Sequence, residues 1–125
     1  MAKSYERTVV YPAVDAFLAA ITPENTPHAI WVGSPPAFRG GEQPGRDVEL
    51  ILTRALPNTA LFLEKPVTTG PLAESENVTK TLATRPNVIA VGYMLRYLAV
   101  VQKMKQIINE NQLTVMAINA RYINA

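Results

Sequence analysis

Three short apolar runs of strand length constrain the fold of this chain more than any other feature of its sequence. They read AIWVG (29–33), ALFL (60–63) and VIAVG (88–92), and none contains a charged residue. Strands with one solvated face alternate between apolar and polar residues, whereas parallel strands covered on both faces read as continuous apolar runs. The runs therefore predict a parallel sheet whose strands are buried on both faces.

Stretches with helical periodicity separate these runs. The sequence predicts helices over residues 11–21, 46–56, 71–85 and 98–109. The last helix is expected to turn four apolar residues inward: Val101, Met104, Ile107 and Ile108. Regular alternation of strands and helices is typical of α/β proteins, and the β-branched residues of 113–123 predict one further strand.

Composition excludes several classes of function. The 12 basic and 10 acidic residues are scattered and give a net charge of +2, so no nucleic-acid partner is expected. The chain has no cysteine and a single histidine, His28, so we predict neither a disulfide nor a metal site. It shows no signal-peptide pattern and no apolar run long enough to span a bilayer, which predicts a soluble, cytoplasmic protein.

Polar and proline-rich segments follow each of the three apolar runs. They are Ser34-Pro35-Pro36 with Arg39, then Glu64-Lys65-Pro66, then Gly92 to Tyr97. The carboxyl ends of parallel strands meet at one edge of a sheet, and open α/β folds bind ligands along that edge. A polar ligand there would explain why an apolar strand ends in an acid and a base.

In order and spacing, these segments resemble the glucose-fructose oxidoreductase, inositol dehydrogenase and rhizopine-catabolism (Gfo/Idh/MocA) family of NAD(P)-dependent oxidoreductases. That family shows a strand ending in Thr-Pro followed by His, a strand ending in Glu-Lys-Pro, and then Gly-Tyr/Phe-Asn-x-Arg-Phe. Here Arg39 stands in place of the histidine and Met94 in place of the asparagine. The resemblance extends from about Val9 to Tyr122 and implies a Rossmann-like parallel sheet that binds NAD or NADP.

The resemblance also implies roles for individual residues. Lys65 corresponds to the lysine that orients or protonates the substrate oxygen beside the nicotinamide. In that family the peptide bond between this lysine and the following proline is commonly cis. The implied cofactor contacts are Ser34, Pro35, Pro36, Arg39, Glu64, Lys65, Pro66, Tyr93 and Arg96. Two alternatives stay open: Glu64 and Lys65 could form a simple ion pair at a strand end, and Arg96 could be a solvated arginine at a helix start.

One part of the family pattern is missing. No glycine-rich turn between a strand and a helix, the element that holds the cofactor diphosphate, occurs in the sequence. The resemblance begins near the family's third strand, with TVVYP (8–12). We therefore expect residues 1–110 to form the later half of a dinucleotide-binding domain, and 111–125 to be the first strand of an α+β substrate domain.

Two functional hypotheses follow from this partial pattern. In the first, the chain is part of an NAD(P)-dependent oxidoreductase for a sugar-like polyol or carbonyl, with weak cofactor binding and no activity by itself. In the second, it is a non-catalytic module for binding or oligomerisation. In the spatial order 3-2-1-4-5-6, the strand at 29–33 would lack its neighbour, so we also expect a homodimer or larger assembly through open sheet edges.

Overall fold

The computed structural model describes residues 8–121, which form two compact units divided between Gly92 and Tyr93. The elements of the first unit are α1 (Val14–Ala19), β1 (Ala29–Val32), a 3-10 turn (Pro36–Phe38), α2 (Val48–Ala55), β2 (Ala60–Leu63), α3 (Leu72–Ala83) and β3 (Ile89–Val91). The second unit contains a 3-10 turn at Met94–Tyr97 and helix α4 at Ala99–Glu110. None of the helices described between residues 8 and 121 is long and apolar enough to cross a bilayer.

The three strands form a parallel sheet in the order β1-β2-β3. Trp31 of β1 lies opposite Phe62 of β2, which in turn lies opposite Ala90 of β3. Each apolar run of the sequence forms one of these strands. The predicted α/β class and the partial Rossmann-like parallel sheet are confirmed.

The core lies on one face of the sheet. Its buried centre consists of Val32, Leu52, Leu61 and Leu63, and half-buried residues of α1, α2 and the strands pack against it. Successive strands are added in the same direction, and right-handed crossovers then place the connecting helices on the same face. This arrangement explains why α2 and α3, which connect the described strands, lie on the same face.

The opposite face of the sheet is open in the part of the chain that the structure describes. Trp31 is 70% exposed and Phe62 is 41% exposed, and their rings meet edge to face with centroids 5.7 Å apart. The prediction that the strands are buried on both faces is therefore wrong for these residues. The cause is the one-sided placement of the helices of this unit.

Two predicted strands are not formed. Residues 8–11 and 113–121 contain no strand, while Tyr122 and Ile123 lie outside the described residues. A strand is stabilised by pairing with neighbours, and these segments have none among residues 8–121. The prediction that one side of α4 faces inward is also wrong, because no residue of α4 is buried and Met104 and Ile107 are exposed. One helix and a short turn have too few residues to build a core of their own.

Candidate functional site

The strand ends of the first unit lie side by side. Val32 lies opposite Leu63, and Leu63 lies opposite Val91, so the three strands end at the same level. The ladder continues one residue further, because the amide of Glu64 donates to the Val32 carbonyl at 3.0 Å. The amide of Gly92 likewise donates to the Leu63 carbonyl at 2.9 Å. These bonds fix the backbone from which the predicted site residues extend.

Lys65 is exposed at this edge, and the preceding residue, Glu64, is half-buried. Their side chains do not form an ion pair; the ion pair found within 4 Å among residues 8–121 joins Arg46 and Glu74. The alternative of a strand-end ion pair is therefore not supported. The Lys65–Pro66 peptide bond is cis, as the resemblance implies.

Gly92 follows β3 and lies beside Glu64 at this edge. A Cβ atom at position 92 would lie 3.1 Å from Cζ of Phe62 and 3.5 Å from Oε2 of Glu64. The glycine therefore lets the Phe62 ring and the Glu64 carboxylate approach the end of the next strand.

Ser34 presents an unused polar group at the end of β1. Its Oγ is buried and has no hydrogen-bond partner among the described residues. The chain then enters a short 3-10 turn that begins at Pro36, in which the amide of Phe38 donates to the Pro35 carbonyl at 3.0 Å. A buried hydroxyl usually has a partner, so the Oγ of Ser34 is an unsatisfied polar group at this strand end.

Arg39 is buried behind the Lys65 segment. Its side chain is 1% exposed, and Nη2 donates a hydrogen bond to the Pro66 carbonyl oxygen at 3.0 Å. Its Nε and Nη1 have no partner among the described residues. The structure thus brings Arg39 to the predicted site, but it leaves the guanidinium almost no surface to offer a ligand.

Glu49 of α2 belongs to the same region, although the sequence analysis did not identify it. Its side chain is 1% exposed, and Oε2 accepts a hydrogen bond from the amide of Gly40 at 3.0 Å. Burial raises the pKa of the Glu49 carboxyl, and the Gly40 bond and the Arg39 charge offset only part of this effect. The available signal was its spacing, since Glu49 precedes the buried Leu52 and Thr53 by three and four residues and shares their helix face.

Gly40 lies between these two charged residues and contacts the loop after Pro66. Its φ is +67°, and a Cβ atom there would lie 2.6 Å from the Val67 carbonyl oxygen and 2.7 Å from Cβ of Thr68. Both the left-handed backbone and the close approach require glycine. We call Arg39, Gly40 and Glu49 the buried clamp.

Arg46 makes a second polar contact with the same loop. Nη1 of Arg46 lies 3.3 Å from Oε2 of Glu74, and Nη2 of Arg46 donates to Oγ1 of Thr68 at 3.4 Å. The same hydroxyl accepts a hydrogen bond from the amide of Gly70 at 2.9 Å. Residues 66–70 are therefore contacted by the segment after β1 at two separate points.

A cavity of about 370 Å³ lies between α3 and the sheet, and its lining includes Leu63 and Val91, the last residues of β2 and β3. Its lining includes none of Ser34, Glu64 and Lys65. Three of its lining residues have a buried polar atom without a partner among residues 8–121: Glu49, Arg85 and Asn87. This cavity therefore borders Gly40 and Glu49 of the buried clamp, but not Ser34, Glu64 or Lys65.

The remaining predicted site residues, Tyr93 and Arg96, belong to the second unit. Tyr93 precedes the 3-10 turn and is exposed. Arg96 is exposed as well, and its guanidinium carbon lies 5.7 Å from the centre of the Tyr97 ring. Within its own unit, Arg96 therefore makes a cation–π contact at the surface.

Comparison with known proteins matches two family models to adjacent parts of the chain. Residues 2–93 match the GFO_IDH_MocA model, described as an oxidoreductase family with an NAD-binding Rossmann fold. Residues 96–125 match a model described as a putative oxidoreductase C-terminal domain. The division between the two matches falls next to the division between the two structural units.

Two curated relatives come from Schizosaccharomyces pombe (strain 972 / ATCC 24843). Uncharacterized protein C12C2.04 is 39% identical over 127 residues, covering 100% of this chain and 33% of the relative. Uncharacterized protein UNK4.17 is 40% identical over 126 residues, covering 99% of this chain and 31% of the relative. The chain thus spans about a third of the length of these relatives, and no solved structure matches it.

Proposed function

Because the chain belongs to the Gfo/Idh/MocA family of oxidoreductases with an NAD-binding Rossmann fold, we propose that it carries the nicotinamide end of an oxidoreductase site. The observation that carries this proposal is the position of Lys65, exposed at the carboxyl end of a central parallel strand. The proposed substrate class is a sugar-like polyol or its carbonyl, and the cofactor is NAD or NADP.

Lys65 is the proposed proton-transfer group. Its ammonium donates a hydrogen bond to the substrate oxygen, polarises it and exchanges a proton with it at Nζ. The nicotinamide, when bound, supplies or accepts the hydride. Glu64 and Pro66 hold the lysine between an anchored strand end and a rigid turn. Tyr93 and Arg96 are proposed as further contacts of the nicotinamide end.

The residues at the strand ends fit the nicotinamide and its ribose. The unpartnered Oγ of Ser34 is suited to bond a ribose hydroxyl, and Pro35 and Pro36 offer flat apolar contacts beside it. Residues 8–121 contain no strand followed by a glycine-rich turn and a helix, the arrangement that would hold the diphosphate. We therefore propose weak cofactor binding by this chain alone. The match of residues 96–125 to an oxidoreductase C-terminal domain supports the proposal that the last segment, 111–125, begins a substrate domain.

Turnover of the nicotinamide tests this proposal. In a protein of the relatives' full length that contains this chain, a panel of polyols is offered with NAD or NADP, and nicotinamide reduction is followed by absorbance. We expect Lys65→Met, which keeps the length of the side chain without its charge, to lower turnover by about 100-fold or more while cofactor affinity changes little. The matched control is Lys80→Met at an exposed position of α3. Equal turnover in the two variants would contradict the role of Lys65.

A second function is favoured by the open sheet. Trp31 and Phe62 form an exposed apolar pair, and β1 pairs only with β2 among the described residues. Unpaired strand edges and apolar faces recruit other chains. We therefore keep the proposal of a binding or oligomerisation module, in which two copies of this chain associate through the edge of β1.

A further inference from the structure

We propose that Arg39 and Glu49 are positioning residues, which act through the loop after Pro66 to hold Lys65 in its orientation. This inference rests on the proposed function of Lys65. It assigns Arg39 a structural bond to the catalytic segment in place of a cofactor contact, and it adds Glu49, which no sequence motif identified.

The first step is the bond from Arg39 to Pro66. The guanidinium Nη2 donates to the carbonyl oxygen of the residue directly after Lys65, at 3.0 Å, in a part-buried hydrogen bond. Hydrogen bonds from a charged donor are stronger than those between neutral groups. This hydrogen bond fixes the peptide that follows the proposed catalytic lysine.

The second step is the support of Arg39 by Glu49. Because Oε2 of Glu49 accepts from the amide of Gly40, it fixes the backbone immediately after Arg39. Gly40 in turn touches the Val67 carbonyl and Thr68, the next two residues of the loop. The buried clamp therefore contacts three consecutive residues after Lys65.

Burying the charged side chains of Arg39 and Glu49 has a desolvation cost. Two ionisable side chains, each 1% exposed, lie in a region where apolar residues would pack at a lower desolvation cost. The charges acting on Glu49 are Arg39 from the loop after β1 and Asp47 at the N-cap of α2, and Arg85 lines the same cavity. The burial of these two side chains is explained when their hydrogen bonds fix a geometry that apolar packing would leave loose.

Amide hydrogen exchange of the 125-residue chain, followed by NMR, tests the clamp without cofactor or substrate. Arg39→Met retains the apolar bulk and removes the donors, Arg39→Lys restores one donor, and Arg54→Met is the control at an exposed position of α2. We expect Arg39→Met to speed exchange of the Gly70 amide, which donates to Thr68 in this loop, by about tenfold relative to Leu61 and Leu63 of the core. Arg39→Lys should recover part of this protection, and Arg54→Met should change neither region.

If Arg39→Met does not fold, Glu49→Met, which removes the acceptor of the Gly40 amide, decides the same question, with exchange at Gly70 accelerated more than in the core as the expected result. Exchange that rises equally in loop and core in the variant that folds, or no recovery in Arg39→Lys, would overturn the positioning role. A failure of the proposed function is distinguishable, because Lys65→Met would then keep its turnover while the loop still loosens in Arg39→Met.

Discussion

The guanidinium of Arg39 and the carbonyl of Pro66 are joined by a part-buried 3.0 Å hydrogen bond across 27 positions of the sequence. The bond ties the segment after β1 to the segment after β2, at the edge where Lys65 is exposed. The geometry of the proposed site therefore depends on contacts beneath it as much as on the residues that face a ligand.

Gly40 provides a stability test of these contacts. We expect Gly40→Ala to lower the free energy of unfolding by about 2–4 kcal/mol, because alanine resists the positive φ and its Cβ collides with the Val67 carbonyl. Gly45→Ala is the matched control, since Gly45 also has a positive φ, +86°, but open space around it. That variant should lose only about 1–2 kcal/mol. Urea unfolding measures both, and equal losses would contradict the close contact of Gly40 with Val67.

The pKa of Glu49 predicts how stability depends on pH. Burial raises this pKa above its ordinary value of 4.5, so the folded protein holds the proton more tightly than the unfolded chain. The resulting stabilisation is complete below the unfolded-state pKa and is lost as the pH rises through the folded-state pKa.

Glu49→Gln removes this titration and is therefore expected to gain stability relative to the wild type as the pH rises above 4.5. Urea unfolding at a series of pH values measures the difference, with Glu42→Gln at an exposed position as the control. A constant difference between Glu49→Gln and the wild type at every pH would contradict a raised pKa.

The sequence predicted the parts of the fold that depend on local pattern. Each apolar run forms a parallel strand because continuous apolar residues and the helices between them leave few other arrangements. The same reasoning overestimated burial, since Trp31 and Phe62 face solvent. Whether a second layer covers a strand depends on partners that the pattern of the strand itself does not specify.

The contacts of the site were harder to predict. Lys65 and Ser34 follow strands, so their shared edge could be deduced from parallel topology. The clamp could not, because it depends on a buried arginine in an irregular segment and on the rotation of α2 that turns Glu49 inward. A proline-rich loop with paired glycines has no periodicity from which such contacts can be deduced.

Assembly is tested at the outer edge of β1. The carbonyls of His28 and Val32 bond to the β2 side, and backbone groups alternate along a strand, so those of Trp31 point to the other edge. We expect the wild type to be a dimer or larger by light scattering after size exclusion. Trp31→Pro, which removes an outward amide, should shift it to a monomer, because proline is tolerated at a strand edge without loss of the inner ladder.

Trp31→Ala is the matched control, since it removes the same ring and keeps the amide. If both variants lower the mass equally, association uses the apolar face and the edge hypothesis is wrong. A monomeric wild type would exclude self-association through either surface.

The central claim is that the strand ends bind the nicotinamide end of the cofactor, and NMR titration of the 125-residue chain with the two halves of NAD tests it most directly. Nicotinamide mononucleotide should shift the amides of Ser34 and Lys65, with a dissociation constant of about 1 mM or weaker, because residues 8–121 contain no glycine-rich turn that would hold the phosphate. Adenosine monophosphate carries the same phosphate and ribose but no nicotinamide, so it should leave the amide of Lys65 unchanged. Equal shifts of the Lys65 amide with both halves, or none with nicotinamide mononucleotide, would contradict the proposed site.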